Sequence, residues 1–246
     1  AQAIAPPQHC AGINGAGPLP PAVLEPLADA APELRDMPFL AVRCGRLADA
    51  DVRLMRVGFV GEWGVEIHVP YAGAPMLWSR LMEAGAARLI TPFGVDTQRL
   101  LRLEKGHLIV GQDTDGVMHP FETPLAGLVN FNKGPFVGRA ACERLREQAD
   151  RRIVAFESTH RDPDAPIEEC HLVIDNDRIA GRVTSVGYSP ALDRTIGLAV
   201  LEGFAQTPSR IGLRVGGRRM VEARVVTAPF YDAANARQQA QRGEQP

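Results

Sequence analysis

The chain has 246 residues, with 27 Lys and Arg against 29 Asp and Glu and a formal net charge of −2 at neutral pH. With 45% hydrophobic and 23% charged residues, it has the composition of a globular protein able to bury a large core, in one domain or two. Balanced charge and 6% aromatic content exclude the basic, ring-studded surface of a nucleic-acid binder. Cys10, Cys44, Cys142 and Cys170 form no C-x-x-C, and no two histidines stand at chelating spacing. Reduced thiols and no metal site are therefore expected. No apolar run reaches the roughly 18 residues of a membrane span. The first residues lack a cationic region, and Pro6-Pro7 breaks their apolar run, so a cytoplasmic protein is expected.

Residues 1–22 are rich in Ala, Gly and Pro and read as an extended, weakly ordered arm, with a short helix beginning between Pro21 and Leu27. Phe39 to Arg43 reads as strand material. Arg53–Val57 and Val65–Val69 are expected as antiparallel strands flanking a bend punctuated by Gly58, Gly61 and Gly64. In Val65-Glu66-Ile67-His68-Val69 the strict alternation puts the three aliphatic residues on one face and Glu66 and His68 on the other. A carboxylate there is placed to accept hydrogen bonds from a planar donor such as a pterin or purine edge. The alternative is an ordinary exposed glutamate on a surface hairpin.

Ala72 to Ala86 reads as a helix, with Pro75 in its first turn, Leu77, Leu81 and Ala84 on one face, and Gly85 at its end. Trp78 and Met82 extend that face and are expected in the core. A second helix over Gly94–Glu104 is closed by Gly106, and His107–Val110 reads as a short strand. Asp113-x-Asp115-Gly116 resembles the start of a calcium loop, but no acidic residue follows at the required spacing. A turn ordered by Asx-type bonds is expected instead. Gly138–Gln148 reads as a third helix.

Near Asp150 the periodicity changes. Ile153–Glu157, His171–Asp175, Arg178–Val186, Ile196–Leu201, Ile211–Val215 and Arg218–Val226 read as strands, with hairpin turns at Asp175-Asn176-Asp177 and Gly216-Gly217. Six short strands at this spacing predict a small barrel or sandwich. The expected organisation is an arm (1–37), an α+β domain (38–150), a β-barrel (151–232) and a frayed tail (233–246).

The stretch Gly58-Phe59-Val60-Gly61-Glu62-Trp63-Gly64-Val65-Glu66-Ile67 resembles the G-[YF]-T-G-E-x-G-[YF]-E-I signature of the folate-binding aminomethyltransferases, the T-protein of the glycine cleavage system and its relatives. Leu101-Arg102-Leu103-Glu104-Lys105-Gly106, Val110 to Gly116, and Phe136-Val137-Gly138-Arg139 match later motifs in order, and Gly181 to Ala199 resembles the family's barrel signature. The wording is closest to the C-terminal folate domain of the large subunit of heterotetrameric sarcosine oxidases.

The resemblance implies an α+β folate-binding domain, truncated at its N-terminal side, followed by a C-terminal β-barrel. It further implies tetrahydrofolate as cofactor, with Glu66 holding the pterin edge and Phe59, in place of a tyrosine, walling the pocket. Gln98, standing where glycine-cleavage relatives carry arginine, and Arg102 complete the implied cofactor set. An ion pair of Arg102 with Glu104 inside the fold is the alternative reading of those two residues. Gly127 departs from the family's tryptophan. The family's first segment, with its catalytic aspartate, has no counterpart in this chain, so a pocket completed by another polypeptide is expected. The implied chemistry is one-carbon capture as 5,10-methylenetetrahydrofolate beside a flavoprotein subunit that oxidises an N-methyl amine. The rival expectation is a non-catalytic scaffold with a degenerate pocket.

Overall fold

The computed structural model describes residues 10–29 and 34–239. Contacts divide the chain into two units, residues 1–98 with 234–246, and residues 99–233. The change of periodicity near Asp150 marks the start of the barrel strands.

In the first unit, β1 (Cys10–Ala16), β2 (Val42–Leu47), β3 (Ala50–Met55) and β4 (Gly64–Pro70) form an antiparallel sheet in the order β1-β4-β3-β2. Val65, Ile67 and Val69 of β4 are buried on one face with Val52, Leu54 and Trp63, where Leu77 and Leu81 of helix α2 (Ala74–Gly85) cover them. Short helix α1 (Pro20–Leu24) adds Val23 and Leu24 to that core. The alternation read from β4 is thus realised.

Three expectations change. The arm is a strand over residues 10–16, paired along all of β4 from Cys10↔Pro70 to Ala16↔Gly64. Its Ala- and Gly-rich composition carries weak strand propensity, and pairing with a buried neighbour overrides it. The strand expected from Phe39 begins at Val42, leaving Phe39 exposed. The tail is ordered through residue 239, with a 3₁₀ turn at Ala236–Gln238. The parts of the arm and tail expectations that fall on residues 1–9 and 240–246 lie outside the described residues.

The second unit holds a closed six-stranded barrel in the order β10-β5-β8-β7-β6-β9. Its strands are β5 (Arg151–Ser158), β6 (Leu172–Asp175), β7 (Arg178–Ser189), β8 (Arg194–Glu202), β9 (Arg210–Val215) and β10 (Arg219–Val226). Each overlaps one of the six runs read from the sequence, and closure removes exposed strand edges. The hairpin turns take the positive φ their residues tolerate, at Asn176, Asp177, Gly216 and Gly217. Phe156, Val173, Val183, Leu201 and Leu213 fill the interior.

Helix α3 (Val95–Glu104) is shorter by one residue than read, and α4 (Arg139–Leu145) is shorter at both ends. His107–Val110 is not a strand. The amides of Gln112 and Asp113 both donate to the Ile109 carbonyl, at 3.1 and 2.9 Å, turning the chain into the acidic loop. In that loop Asp115 makes the expected Asx-type turn, its Oδ1 accepting from the amides of Val117 and Met118 at 2.9 and 2.7 Å.

Glu122 ties the next segment to β5. It accepts from Arg151 Nε and Nη2 at 3.2 and 3.1 Å and from the His119 amide at 3.1 Å. Burial pushes its carboxyl up, but the Arg151 fork and the His119 amide outweigh burial and hold it below the usual range. The folded state thus prefers the ionised form. The stability this group contributes is present above the unfolded value of about 4.3 and lost as pH falls through the lower folded value. Glu122→Gln is expected to lower stability at neutral pH and to flatten the acid limb of the stability curve, measured by thermal melts from pH 7 to 3.

Candidate functional site

The glycine bend is built by close approach. Gly61 has φ +83°, and a Cβ on Gly64 would lie 2.3 Å from the Val57 carbonyl oxygen and 2.9 Å from Gly58 Cα. The chain therefore folds back on itself between Val57 and Gly64, so that β4 starts where the bend closes. The sequence expectation of glycines serving positive φ and backbone contact is met at these positions.

Glu66 is the third residue of β4, after the aliphatic Val65. Its side chain is 41% exposed, and its Oε2 lies 3.3 Å from His68 Nε2. Its cross-strand neighbours are Asn14 on β1 and Met55 on β3. His68 stands opposite Gly12 and Arg53. This face of the sheet therefore presents a half-exposed carboxylate beside an imidazole, an amide and a guanidinium on rigid strands. Phe59 sits half-buried in the bend that leads into it.

On the opposite face lies a cavity of about 650 Å³. Val65 and Ile67 form part of its floor, with Trp78 and Met82 of α2, Phe93 and Gln98 around it. Trp78 and Met82 therefore do not extend the core as expected. Trp78 is partly exposed and both line this space, because the α2 face carrying them turns past the edge of the packed sheet. Gln98 belongs to this cavity. Glu66, one residue removed in a strand of period two, does not line it. Asn14, the cross-strand neighbour of Glu66, does line it.

Arg102 belongs to the second unit. Its side chain is 1% exposed. Nη1 donates to Asp113 Oδ2 at 2.6 Å and to the His107 carbonyl at 2.9 Å, and Nη2 donates to Ser185 Oγ at 2.7 Å. Asp113 accepts further bonds from Thr184 Oγ1, Ser185 Oγ and the Ile109 amide, at 2.7, 2.6 and 2.8 Å. Both Nη atoms are held in this interior network, while the buried Nε has no hydrogen-bond partner. The alternative pairing with Glu104 is replaced. Glu104 instead accepts from Ser189 Oγ at 2.5 Å, since residues two apart on a helix face different directions. The sequence offered no direct sign that Asp113 is the partner. Only tertiary packing brings it to Arg102, 11 residues earlier across a turn. Gly127 lies in a 3₁₀ turn, with no atom within 4 Å of where a Cβ would stand.

Two family profiles cover this architecture. The GCVT N-terminal domain matches residues 3–133, and the glycine cleavage T-protein C-terminal barrel domain matches residues 151–232. The chain belongs to the glycine cleavage T-protein family. Among relatives of this T-protein-family chain, the aminomethyltransferase of Thermotoga neapolitana is 32% identical over 199 residues, 81% of this chain and 53% of that protein. The aminomethyltransferase of Cutibacterium acnes is 34% identical over 201 residues, with the same two coverages. The crystal structure of glycine cleavage system aminomethyltransferase T from Bartonella henselae superposes with a TM-score of 0.74 at 24% identity. It covers 89% of this chain and 57% of that one, and it bears on the fold alone. The T-protein-family chain spans about half the length of the curated relatives it matches. Among its described residues, no helix is long and apolar enough to cross a membrane, and no group of three or more potential metal-ligating residues occurs.

Proposed function

We propose that this chain is a tetrahydrofolate-binding, aminomethyltransferase-like subunit of a flavin-dependent N-methyl amine oxidase or dehydrogenase complex, of the sarcosine type. Family membership supports the folate part of this reading, and the aminomethyltransferase relatives support the one-carbon part. The flavoprotein partner rests on the sequence resemblance to sarcosine oxidase large subunits.

One observation carries the site. Glu66 stands half-exposed as the third residue of a strand whose start is fixed by the closed glycine bend. A carboxylate with that access fits a heterocycle presenting adjacent N–H donors, because it accepts two bonds in parallel. Glu66 would hold the pterin edge. His68, on the same face, orients the carboxylate through Oε2, and Phe59 supplies an apolar wall without a hydroxyl. Of the other two residues implied by the resemblance, Gln98 lines the cavity of the first unit and Arg102 is bonded within the second, and this reading rests on neither. Tetrahydrofolate, when bound, supplies the amines that accept the one-carbon unit. The chain's own contribution is to orient that ligand and exclude water.

The test is a titration of the assembled protein with tetrahydrofolate. Glu66→Gln preserves shape but replaces one acceptor by a donor. Losing a hydrogen bond to a charged group removes about 1.5–3 kcal/mol, so binding is expected to weaken by about ten- to a hundredfold. In a complex oxidising an N-methyl amine, tetrahydrofolate should suppress formaldehyde release by the wild type and not by the variant. Equal affinity of the two proteins would reject the reading.

A second reading, a non-catalytic scaffold, is favoured by the burial of Arg102 in an interior network and by Gly127 standing where relatives carry tryptophan. It expects no tetrahydrofolate-dependent rise in Tm and unchanged amine oxidation in Glu66→Gln.

A further inference from the structure

Arg56 is a buried cation without a carboxylate. It is 5% exposed, and among the described residues it forms no ion pair. Its Nη1 donates to the Gly64 carbonyl at 3.1 Å and its Nη2 to the Gln238 carbonyl at 2.5 Å. Its guanidinium carbon lies 4.3 Å from the centre of the Trp63 ring, while Nε has no partner. Burial pushes the guanidinium below its usual value. A charge held this way is costly unless dipoles replace its water. Here the replacements are two carbonyls and an aromatic face. One carbonyl comes from the start of β4 and the other from 182 residues away in sequence.

The same C-terminal segment contacts the bend twice more. The Trp63 amide donates to the Arg237 carbonyl at 2.9 Å. The Arg237 guanidinium pairs with the Glu62 carboxylate. The segment is itself shaped for this. Asn235 adopts the left-handed conformation at φ +57°, and the turn at Ala236–Gln238 is closed by Gln238 N to the Asn235 carbonyl at 3.2 Å. Trp63 is fully buried between these elements, and its carbonyl accepts from Gly17 N at 3.0 Å. Residues 59–63 belong to no strand or helix. The tail therefore supplies hydrogen bonds that a sheet neighbour supplies elsewhere.

From this we infer that residues 234–239 are a clamp locked by Arg56, and that the clamp is a positioning element for the Glu66 site. The guanidinium's planar fork spans both carbonyls at once, which a lysine's single ammonium does not reproduce. By fixing Gly64 and Trp63, the clamp fixes the first residues of β4 and hence the direction of Glu66 and the wall at Phe59. The clamp itself stands on geometry alone, whereas its consequence for ligand binding rests on the folate reading above.

Two variants of the full chain and one shortened chain test it. Arg56→Lys keeps the charge and loses the fork, and Arg56→Gln loses both. A chain ending at Ala233 removes the clamp outright. Hydrogen exchange of peptides covering Trp63 to Glu66 is expected to rise by about tenfold or more in all three, with the barrel peptides unchanged. Tetrahydrofolate affinity is expected to fall by about tenfold, as for a misplaced charge-assisted hydrogen bond. Arg237→Ala is the control. It keeps the backbone carbonyl that holds Trp63 and removes the pair with Glu62, so exchange at the bend should stay near wild type.

Unchanged exchange in both the shortened chain and Arg56→Gln would overturn the clamp. Faster exchange with unaltered tetrahydrofolate affinity, in a protein whose Glu66→Gln variant binds weakly, would overturn its positioning role. If the wild type binds no tetrahydrofolate, the folate reading fails, and the exchange data alone decide the clamp.

Discussion

Asp113→Ala is expected to be among the most destabilising single substitutions in the second unit, costing about 3–5 kcal/mol. The carboxylate has no exposed surface and accepts four hydrogen bonds, from Arg102, Ile109, Thr184 and Ser185. Its removal leaves the Arg102 charge buried with only the His107 carbonyl and Ser185 hydroxyl as partners. The penalty comes from that stranded charge more than from the lost pair itself. Removing both charges, in Arg102→Met with Asp113→Leu, should therefore cost less than the sum of the two single changes. Urea melts of the four proteins in a double-mutant cycle measure this. Additive costs would show that the two residues do not act as a unit. Tetrahydrofolate affinity is expected to change little in any variant that remains folded, since Arg102 faces the interior.

Gly64→Ala is the second large effect, and it acts on the site directly. The added methyl would lie 2.3 Å from the Val57 carbonyl oxygen and 2.9 Å from Gly58 Cα. Both are backbone atoms that cannot rotate away, so either the bend opens or β4 shifts. Forced overpacking of this kind costs about 1–3 kcal/mol and occasionally more. The upper part of that range is expected here, together with weakened ligand binding at Glu66, two residues along. Gly12→Ala, on the neighbouring strand, meets no atom within 4 Å and should be close to neutral in both assays. Equal stability of Gly64→Ala and wild type, by chemical denaturation, would show that the bend does not need its close approach.

These effects connect to what was readable in advance. The six barrel strands, the alternation of β4 and the positive-φ hairpin turns were legible because each is a local pattern. Period-two burial and glycine or asparagine at a turn leave their mark within a few residues. Glu66 was legible as an outward carboxylate for the same reason. The strand at residues 10–16 was not, because small residues with little strand propensity are held there by β4, which is distant in sequence. Trp78 and Met82 sit at core spacing on α2, but whether anything packs over that part of the helix is a tertiary matter. The tail looked frayed because its residues are polar, yet its anchoring runs through backbone carbonyls that composition does not record.

The sequence alone determined the family, the barrel, the glycine bend and the face of β4 on which Glu66 stands. Those follow from short-range periodicity and from residues whose backbone demands are unusual. Only the tertiary structure decided that Arg102 pairs with Asp113, that Trp78 and Gln98 line one cavity, and that the C-terminal segment closes on Arg56. Each of these depends on which distant groups must satisfy a buried charge or polar atom, and that requirement is met in three dimensions with no trace in local spacing.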